Sequence, residues 1–130
     1  MKISNEVYKR LLNNSINAKQ NKYKNKKIVY NNIRFDSKKE YAYYIKLKML
    51  EDSGIIQDLK RQVKYELQPS YKFKDKTIRA INYIADFEYI ENGIKHIIDI
   101  KGSKNTITEA FKIKKKLFEY RYGVEIEIII

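Results

Sequence analysis

Residues 78–101, IRAINYIADFEYIENGIKHIIDIK, form the segment on which the predicted architecture depends. It contains two β-rich runs, 78–90 and 94–100, joined by Asn92-Gly93. A two-residue Asn-Gly link between such runs is the strongest short-range signal for a β-hairpin. Because the side chains of a strand alternate between its two faces, the length of this turn decides which residues lie side by side. The sequence therefore predicts an antiparallel strand pair with a defined register.

That register brings acidic residues of the two strands together. A two-residue turn pairs Glu91 with Ile94 and, counted back along both strands, places Asp86 directly opposite Asp99. Four charged residues then share one face, namely Asp86, Glu88, Asp99 and Lys101. Like charges opposed across a sheet are destabilising, and a divalent cation with oxygen ligands removes the conflict. The alternative is an exposed hairpin on which Asp99 and Lys101 form a surface ion pair of little energetic value.

On the N-terminal side of the hairpin, residues 37–53 are predicted to form a helix. Tyr44, Leu47 and Leu50 recur there at helical spacing, and Gly54 follows the last turn. Extended segments and a turn lead from this helix to the hairpin, over 55–60, 63–73 and 74–76.

Glu40, in the first turn of this helix, has two interpretations. Ser37-x-x-Glu40 is the pattern of a capping box, in which the two side chains satisfy the first amides of a helix. Glu40 also stands one turn before Tyr44 and Leu47, on the side of the helix predicted to face inward. In that position it is a third candidate carboxylate beside the two aspartates of the hairpin.

A second helix is predicted over residues 106–121, on the C-terminal side of the hairpin. It opens with Thr106-x-x-Glu109, again a capping-box pattern, and ends at Gly123. Its apolar stripe consists of Ile107, Ala110, Phe111, Leu117 and Phe118. A final strand follows over 124–130, so the chain from residue 37 is predicted to be α/β (α+β), in the order helix, several strands, helix, strand.

The N-terminal part is predicted to be an extension of a single domain. Residues 4–16 favour a short helix and residues 17–27 a mobile basic arm, so that a basic extension over 1–27 precedes a domain over 28–130. The domain is expected to begin with two very short strands around an Asn-Asn turn, over 28–35.

The amino-acid composition excludes several kinds of functional site. The 130 residues include no cysteine and one histidine, which excludes disulfides and thiolate sites and argues against a histidine-based zinc site. That histidine, His96, faces away from Asp99 in the predicted register and is not expected to be a general base. No apolar run is long enough to span a membrane, and the N-terminus has no apolar leader segment.

The charge balance points to a polyanionic partner. Lys and Arg number 28 against 16 Asp and Glu, a net charge of +12, which favours nucleic acid, with a lysine-rich solvated surface as the alternative. Gln62 and Gln68 precede the hairpin and are either phosphate contacts or ordinary polar residues of a strand. The candidate contacts to DNA are Lys22, Lys24, Lys26, Lys27, Gln68, Lys104, Lys112, Lys115 and Lys116.

Taken together, Glu40, Asp86 and Asp99-Ile100-Lys101 resemble the signature of the PD-(D/E)xK nuclease superfamily. Ala85-Asp86 stands where that motif has Pro-Asp. Over residues 21–130 the chain is similar to a group of small phage-encoded proteins of this superfamily, some of them Holliday junction resolvases. The stretches that carry the likeness are 35–40, 67–69, 83–87, 99–102, 114–118 and 122–123.

The resemblance implies a restriction-endonuclease-like core in the order helix, three strands, helix, strand, with a mixed sheet flanked by helices. It also implies a Mg²⁺-dependent DNA endonuclease in which Mn²⁺ can substitute. The implied catalytic residues are Glu40, Asp86, Asp99 and Lys101, and the implied metal ligands are Asp86, Asp99, Glu40 and the carbonyl of Ile100. It further implies a branched or four-way DNA substrate, a homodimer, and a phage- or prophage-encoded protein in the cytoplasm of a bacterial host. The rival hypotheses are a non-catalytic DNA-binding module and a repair, nicking or RNA nuclease.

Overall fold

The computed structural model describes residues 28–30 and 32–130. These residues belong to two compact units, one ending at Leu59 and one running from Lys60 to Ile130. The predicted helix over 4–16 and the basic arm over 17–27 lie outside the described residues. The single domain over 28–130 stays a prediction.

The first unit contains a short β-hairpin and a helix. Strands β1 (Ile28–Tyr30) and β2 (Ile33–Phe35) pair antiparallel, and helix α1 spans Lys38–Asp52. The Ser37 hydroxyl caps the helix by accepting a hydrogen bond from the Glu40 amide at 3.1 Å. Both the paired strands and the helix were expected from the sequence, and the Ser37 half of the capping box is confirmed.

The buried face of α1 differs from the predicted stripe. Tyr41, Ile45 and Leu47 are buried, whereas Tyr44 and Leu50 of the predicted stripe are only partly covered. Phe35 of β2 is buried in one hydrophobic cluster with Tyr41 and Ile45. Its ring lies 5.2 Å from the Tyr41 ring and 5.1 Å from the Tyr44 ring, so the helix packs on β2 through both tyrosines, of which Tyr41 is the more deeply buried.

The second unit is built on a four-stranded mixed sheet with strand order β3-β6-β7-β8. Strands β6 and β7 are antiparallel, and β7 and β8 are parallel. The strands of the sheet are β3 (Gln57–Gln68), β6 (Ile81–Glu91), β7 (Ile94–Ile100) and β8 (Ile126–Ile129). A separate hairpin of β4 (Tyr71–Phe73) and β5 (Lys76–Ile78) and a helix α2 (Glu109–Tyr122) complete the order. The chain is therefore α+β, with the predicted sequence of helices and sheet strands.

The central hairpin has the register that Asn92-Gly93 predicts. Both turn residues have positive φ, and the pairs run from Glu91–Ile94 to Phe87–Ile98. Among the described residues, Phe87–Ile98 is the last pair between β6 and β7. The predicted pair, with Asp86 directly opposite Asp99, is therefore not among them.

A change of strand phase explains this departure. Glu88 pairs with Ile97, yet Ile97 packs in one core cluster with Tyr83 and Ala85. Strict alternation would put Tyr83 and Ala85 on the opposite face, so the alternation shifts by one residue between Ala85 and Glu88, as at a β-bulge. Because of this shift, counting alternate residues back from the turn no longer places Asp86 and Asp99 on the same face of the sheet.

Helix α2 packs on this sheet through two phenylalanines. Phe111 and Phe118 are buried against Tyr83, Ala85 and Ile126. Gly123 ends the helix at φ +67°, as predicted, because a left-handed residue there satisfies the last carbonyls.

Two details of α2 differ from the prediction. Thr108, not Thr106, is the N-cap and accepts from the Phe111 amide at 3.0 Å, while Thr106 lies in a preceding 3₁₀ turn (Lys104–Thr106). Leu117, predicted to be in the core, is 41% exposed, because the core of the second unit packs against the side of α2 that carries Phe111 and Phe118. Among the described helices, none has the length and apolarity that crossing a membrane requires.

Candidate active site

Asp99 lies at the C-terminal end of β7 and is only 5% exposed. The Tyr83 hydroxyl donates to its Oδ2 at 2.8 Å, and the Lys101 ammonium lies 3.2 Å from its Oδ1. Lys101 in turn stands 3.9 Å above the centre of the Phe111 ring. Asp99 is therefore a buried carboxylate with a phenol on one oxygen and a cation on the other, both held by the core.

Asp86 lies where the paired part of β6 and β7 ends. Its Oδ2 accepts the backbone N–H of Ile100 at 2.7 Å, and the Gln62 amide is 3.4 Å from its Oδ1. Burial raises the pKa of Asp86, and the nearby charge of Asp99 raises it further, against the opposing effect of the Ile100 hydrogen bond. The two aspartates are thus electrostatically coupled, and the structure brings together Asp86, Asp99, Ile100 and Lys101.

The raised pKa of Asp86 makes a testable prediction about stability. A carboxyl group whose pKa is raised by folding binds its proton more tightly in the folded state, so its ionised form destabilises the fold at neutral pH. We expect Asp86→Asn, which keeps an acceptor for the Ile100 amide, to raise the thermal unfolding midpoint at pH 7 in EDTA. The gain shrinks as the pH falls through the folded pKa, because wild-type Asp86 then becomes neutral. A midpoint lowered at pH 7 would contradict this account.

A cleft of about 330 Å³ opens beside Asp99 and Lys101. Tyr83 lines it from β6, Lys114 lines it from α2, and Thr108 lines it from the N-cap position of α2. Neither Tyr83 nor Lys114 was identified from the sequence. The available signal was helical spacing, since Lys114 follows the buried Phe111 by three residues and so lies on the adjoining side of the helix.

The lysines predicted to contact DNA have different surroundings. Lys112 is paired with Glu109 at 3.0 Å and Lys115 with Glu119 at 2.8 Å, both within α2. Lys104 and Lys116 are exposed, and Gln68 is half-buried at the end of β3. The remaining predicted contacts lie outside the described residues, namely Lys22, Lys24, Lys26 and Lys27.

A second buried carboxylate in the sheet has the same kinds of partners as Asp99. Glu88 is 4% exposed, accepts from the Tyr65 hydroxyl at 2.6 Å and pairs with Lys95 at 2.9 Å. Burial acts to raise the pKa of Glu88, but the hydrogen bonds from Tyr65 and Lys95 outweigh it and lower the pKa. A buried carboxylate bonded to a tyrosine and a lysine is therefore not enough to define a site. Asp99 differs from Glu88 because it has a second carboxylate, Asp86, nearby and because it lines a cleft.

Glu40 and His96 occupy other environments. Glu40 is buried in the first unit at the start of α1, and its role as a ligand stays a prediction. His96 Nδ1 lies 2.7 Å from a carboxylate oxygen of Glu127, and its ring stacks on Tyr89 at 5.0 Å. Within residues 28–30 and 32–130, no group of three or more His, Cys, Asp or Glu side chains forms a candidate metal cluster.

Comparison with known proteins gives one match. The model of a family described as "Protein of unknown function (DUF1064)" matches residues 20–129, a range that includes every residue of the site just described. Comparison with curated proteins and with solved structures gives no match.

Proposed function

We propose that this chain, which belongs to the DUF1064 family, is a Mg²⁺-dependent DNA endonuclease of the PD-(D/E)xK type. The preferred substrate in this proposal is a branched or four-way junction, and the second unit corresponds to a restriction-endonuclease-like sheet. The observation that carries the proposal is the grouping of Asp86, Asp99 and Lys101, in the order of the nuclease signature. Asp99 and Lys101 line the cleft, and Asp86 accepts the backbone N–H of Ile100, which lies between them in the chain.

The donor set fits a hard divalent cation. Burial and the charge of Asp99 both disfavour the ionised form of Asp86, and a cation beside the two carboxylates reverses that penalty. Asp86, Asp99 and the carbonyl of Ile100 would hold Mg²⁺, or Mn²⁺ in its place, with Glu40 as the further ligand that the resemblance implies. When bound, such an ion makes water a stronger nucleophile at neutral pH and offsets charge on a phosphoryl oxygen.

Two side chains, Tyr83 and Lys101, have proposed roles in addition to those of the metal ligands. Tyr83 donates to Asp99 and so holds the orientation of that carboxylate. The Lys101 ammonium, kept at the cleft by the Phe111 ring, is placed to stabilise negative charge on a phosphate oxygen or on the attacking oxygen. Because the cleft is walled by both the sheet and α2, these groups act at one defined position.

The surface of the second unit suits a nucleic acid. The β4–β5 hairpin exposes Tyr71 (47%) and Phe73 (57%) with lysines between and after them. Aromatic rings interleaved with cations provide stacking for unpaired bases and charge for phosphates. No motif for reading base edges is evident, so recognition through phosphate and shape supports a structure-specific enzyme.

Lys114 is the lysine we expect to contact phosphate at the cleft. Replacing it by Ala should weaken binding to a four-way junction about 3- to 10-fold and reduce the slope of log affinity against log salt by about 1. Lys116→Ala is the matched control, since Lys116 is exposed on the same helix and does not line the cleft. Fluorescence anisotropy over a salt series measures both, and equal effects of the two variants would refute the assignment of Lys114.

A cleavage assay tests the proposed activity. Wild-type protein is incubated with four-way, flap and linear duplex DNA in Mg²⁺, Mn²⁺ or EDTA. We expect paired nicks in the four-way junction with either ion and none in EDTA. Binding without cleavage of any substrate would favour a DNA-binding module, and cleavage of flaps, linear DNA or RNA in preference to junctions would favour a repair, nicking or RNA nuclease.

Two further parts of the proposal rest on the resemblance. A four-way junction needs two symmetric nicks, so the active form is proposed to be a homodimer, and a single-protomer mass on junction DNA would exclude it. The site of action is proposed to be the cytoplasm of a bacterial host, for a phage- or prophage-encoded protein.

A further inference from the structure

Strand β3 contains a backbone conformation that a regular strand does not have. Gln62, near the middle of the strand, has φ +51°, and Asp58, closer to its start, has φ +54°. Residues other than Gly, Asn and Asp rarely adopt such left-handed values of φ. Irregular residues of this kind are over-represented next to active sites, where they redirect a side chain.

The side chain of Gln62 points to one atom of the candidate site. Its Nε2 lies 3.4 Å from Oδ1 of Asp86, on the neighbouring strand β6. The other oxygen of Asp86 accepts the Ile100 amide of β7 at 2.7 Å. Asp86 therefore has a hydrogen-bond donor on each of the two strands that flank β6. The donor on β7 is the Ile100 backbone amide, at the shorter distance, and the donor on β3 is the exposed side chain of Gln62, at the longer distance.

We propose that Gln62 is a positioning residue for Asp86, whose left-handed backbone directs the carboxamide to Oδ1 and sets that oxygen to receive the divalent cation. The inference rests on the proposed function, because it assigns a role toward the same metal site. Groups that orient a metal-binding carboxylate change metal affinity on substitution without touching the metal, which is what this geometry predicts for Gln62.

The decisive variant is Gln62→Asn. Asn tolerates left-handed backbone better than Gln and keeps the carboxamide, but it is one methylene shorter and moves the donor away from Asp86. We expect Mn²⁺ alone, titrated into the full chain in a calorimeter, to bind about tenfold more weakly. The thermal unfolding midpoint in EDTA should be unchanged or higher, because the left-handed backbone is better tolerated.

Asp58→Asn is the matched control. It replaces a second left-handed residue of the same strand by the same amino acid, and the described contacts do not place Asp58 at the Asp86 carboxylate. We expect wild-type Mn²⁺ affinity and an unfolding midpoint close to that of wild type. A purely structural role for left-handed residues of β3 would make the two variants behave alike.

Several outcomes overturn the inference. They are unaltered Mn²⁺ affinity in Gln62→Asn, a midpoint that falls well below that of Asp58→Asn, and a wild-type protein that binds no Mn²⁺. Failure of the proposed nuclease looks different: the Mn²⁺ affinities then separate as predicted while no DNA is cut. Where DNA is cut, Gln62→Asn should lower kcat at saturating Mn²⁺ and leave the KM for DNA unchanged.

Discussion

Asp99→Asn is expected to lower junction cleavage roughly a thousand-fold or more while leaving DNA affinity close to that of wild type. The substitution keeps the size of the side chain and an acceptor for the Tyr83 hydroxyl, but it removes the charge that the proposed metal site requires. The stabilisation that a metal site gives to the transition state is worth several kcal/mol, and each 1.4 kcal/mol or so is a factor of ten in rate. Single-turnover cleavage and anisotropy on the same junction measure the two quantities.

Glu88→Gln is the matched control for Asp99→Asn. Glu88 is also a buried carboxylate bonded to a tyrosine and a lysine, so the control reproduces the loss of a buried charge with similar partners. We expect it to lower the unfolding midpoint at pH 7, because hydrogen bonds lower the pKa of Glu88 and its ionised form stabilises the fold. That stabilisation is lost in the wild type as the pH falls below the ordinary carboxyl range. Cleavage should persist, and equal loss of cleavage in both variants would remove Asp99 from the proposed chemistry.

Lys101→Met is expected to reduce cleavage about 100- to 1,000-fold, the range found when one donor to a developing anion is removed. Methionine keeps an apolar chain against the Phe111 ring and deletes the charge that lies 3.2 Å from Asp99. The loss should appear in kcat with little change in the KM for DNA, because the group is proposed to act on charge that develops during the reaction.

Two comparisons separate catalysis by Lys101 from its contribution to folding. Lys95→Met deletes a lysine of β7 that pairs with the other buried carboxylate, Glu88 of β6, and should destabilise the fold without abolishing cleavage. The double variant Lys101→Met with Asp99→Asn should be more stable than Lys101→Met alone, since no uncompensated buried charge remains. Full activity in Lys101→Met would contradict the proposed role.

The main features of the second unit were predictable because they depend on neighbouring residues. Asn92-Gly93 suits the positive φ values of a tight hairpin, and the register of the turn follows from it. Ser37 and Gly123 likewise mark helix ends through local hydrogen bonding. The order of helices and sheet strands came from such local signals. The proximity of Asp99 and Lys101 did too, since they are two residues apart at the C-terminal end of β7.

Other features of the site were not predictable, because they depend on contacts between distant segments. The alternation of side chains along β6 shifts by one residue between Ala85 and Glu88, and no residue type in that stretch predicts the shift. Asp86 accordingly accepts a hydrogen bond from the Ile100 amide and is not paired directly opposite Asp99. Threonine is a common N-cap residue, so Thr106 and Thr108 both offer a hydroxyl for the start of the helix, although only Thr106 has a Glu three residues later. The helix begins after Thr108, and Phe111 packs on the sheet in its first turn.

Composition and turn signals limit the chemistry of this protein without reference to its structure. With no cysteine and one histidine, the chain is left with carboxylates, lysines and hydroxyls, and Asn92-Gly93 predicts the hairpin that carries Asp86 and Asp99. The environment of these two carboxylates depends on tertiary packing. Burial and the charge of Asp99 raise the pKa of Asp86. Asp99 in turn contacts Tyr83 and Lys101, while Lys114 and Gln62 reach the candidate site from other elements. A turn depends on the φ and ψ angles of two neighbouring residues, whereas burial, electrostatic coupling and a cleft arise only when strands and a helix pack together.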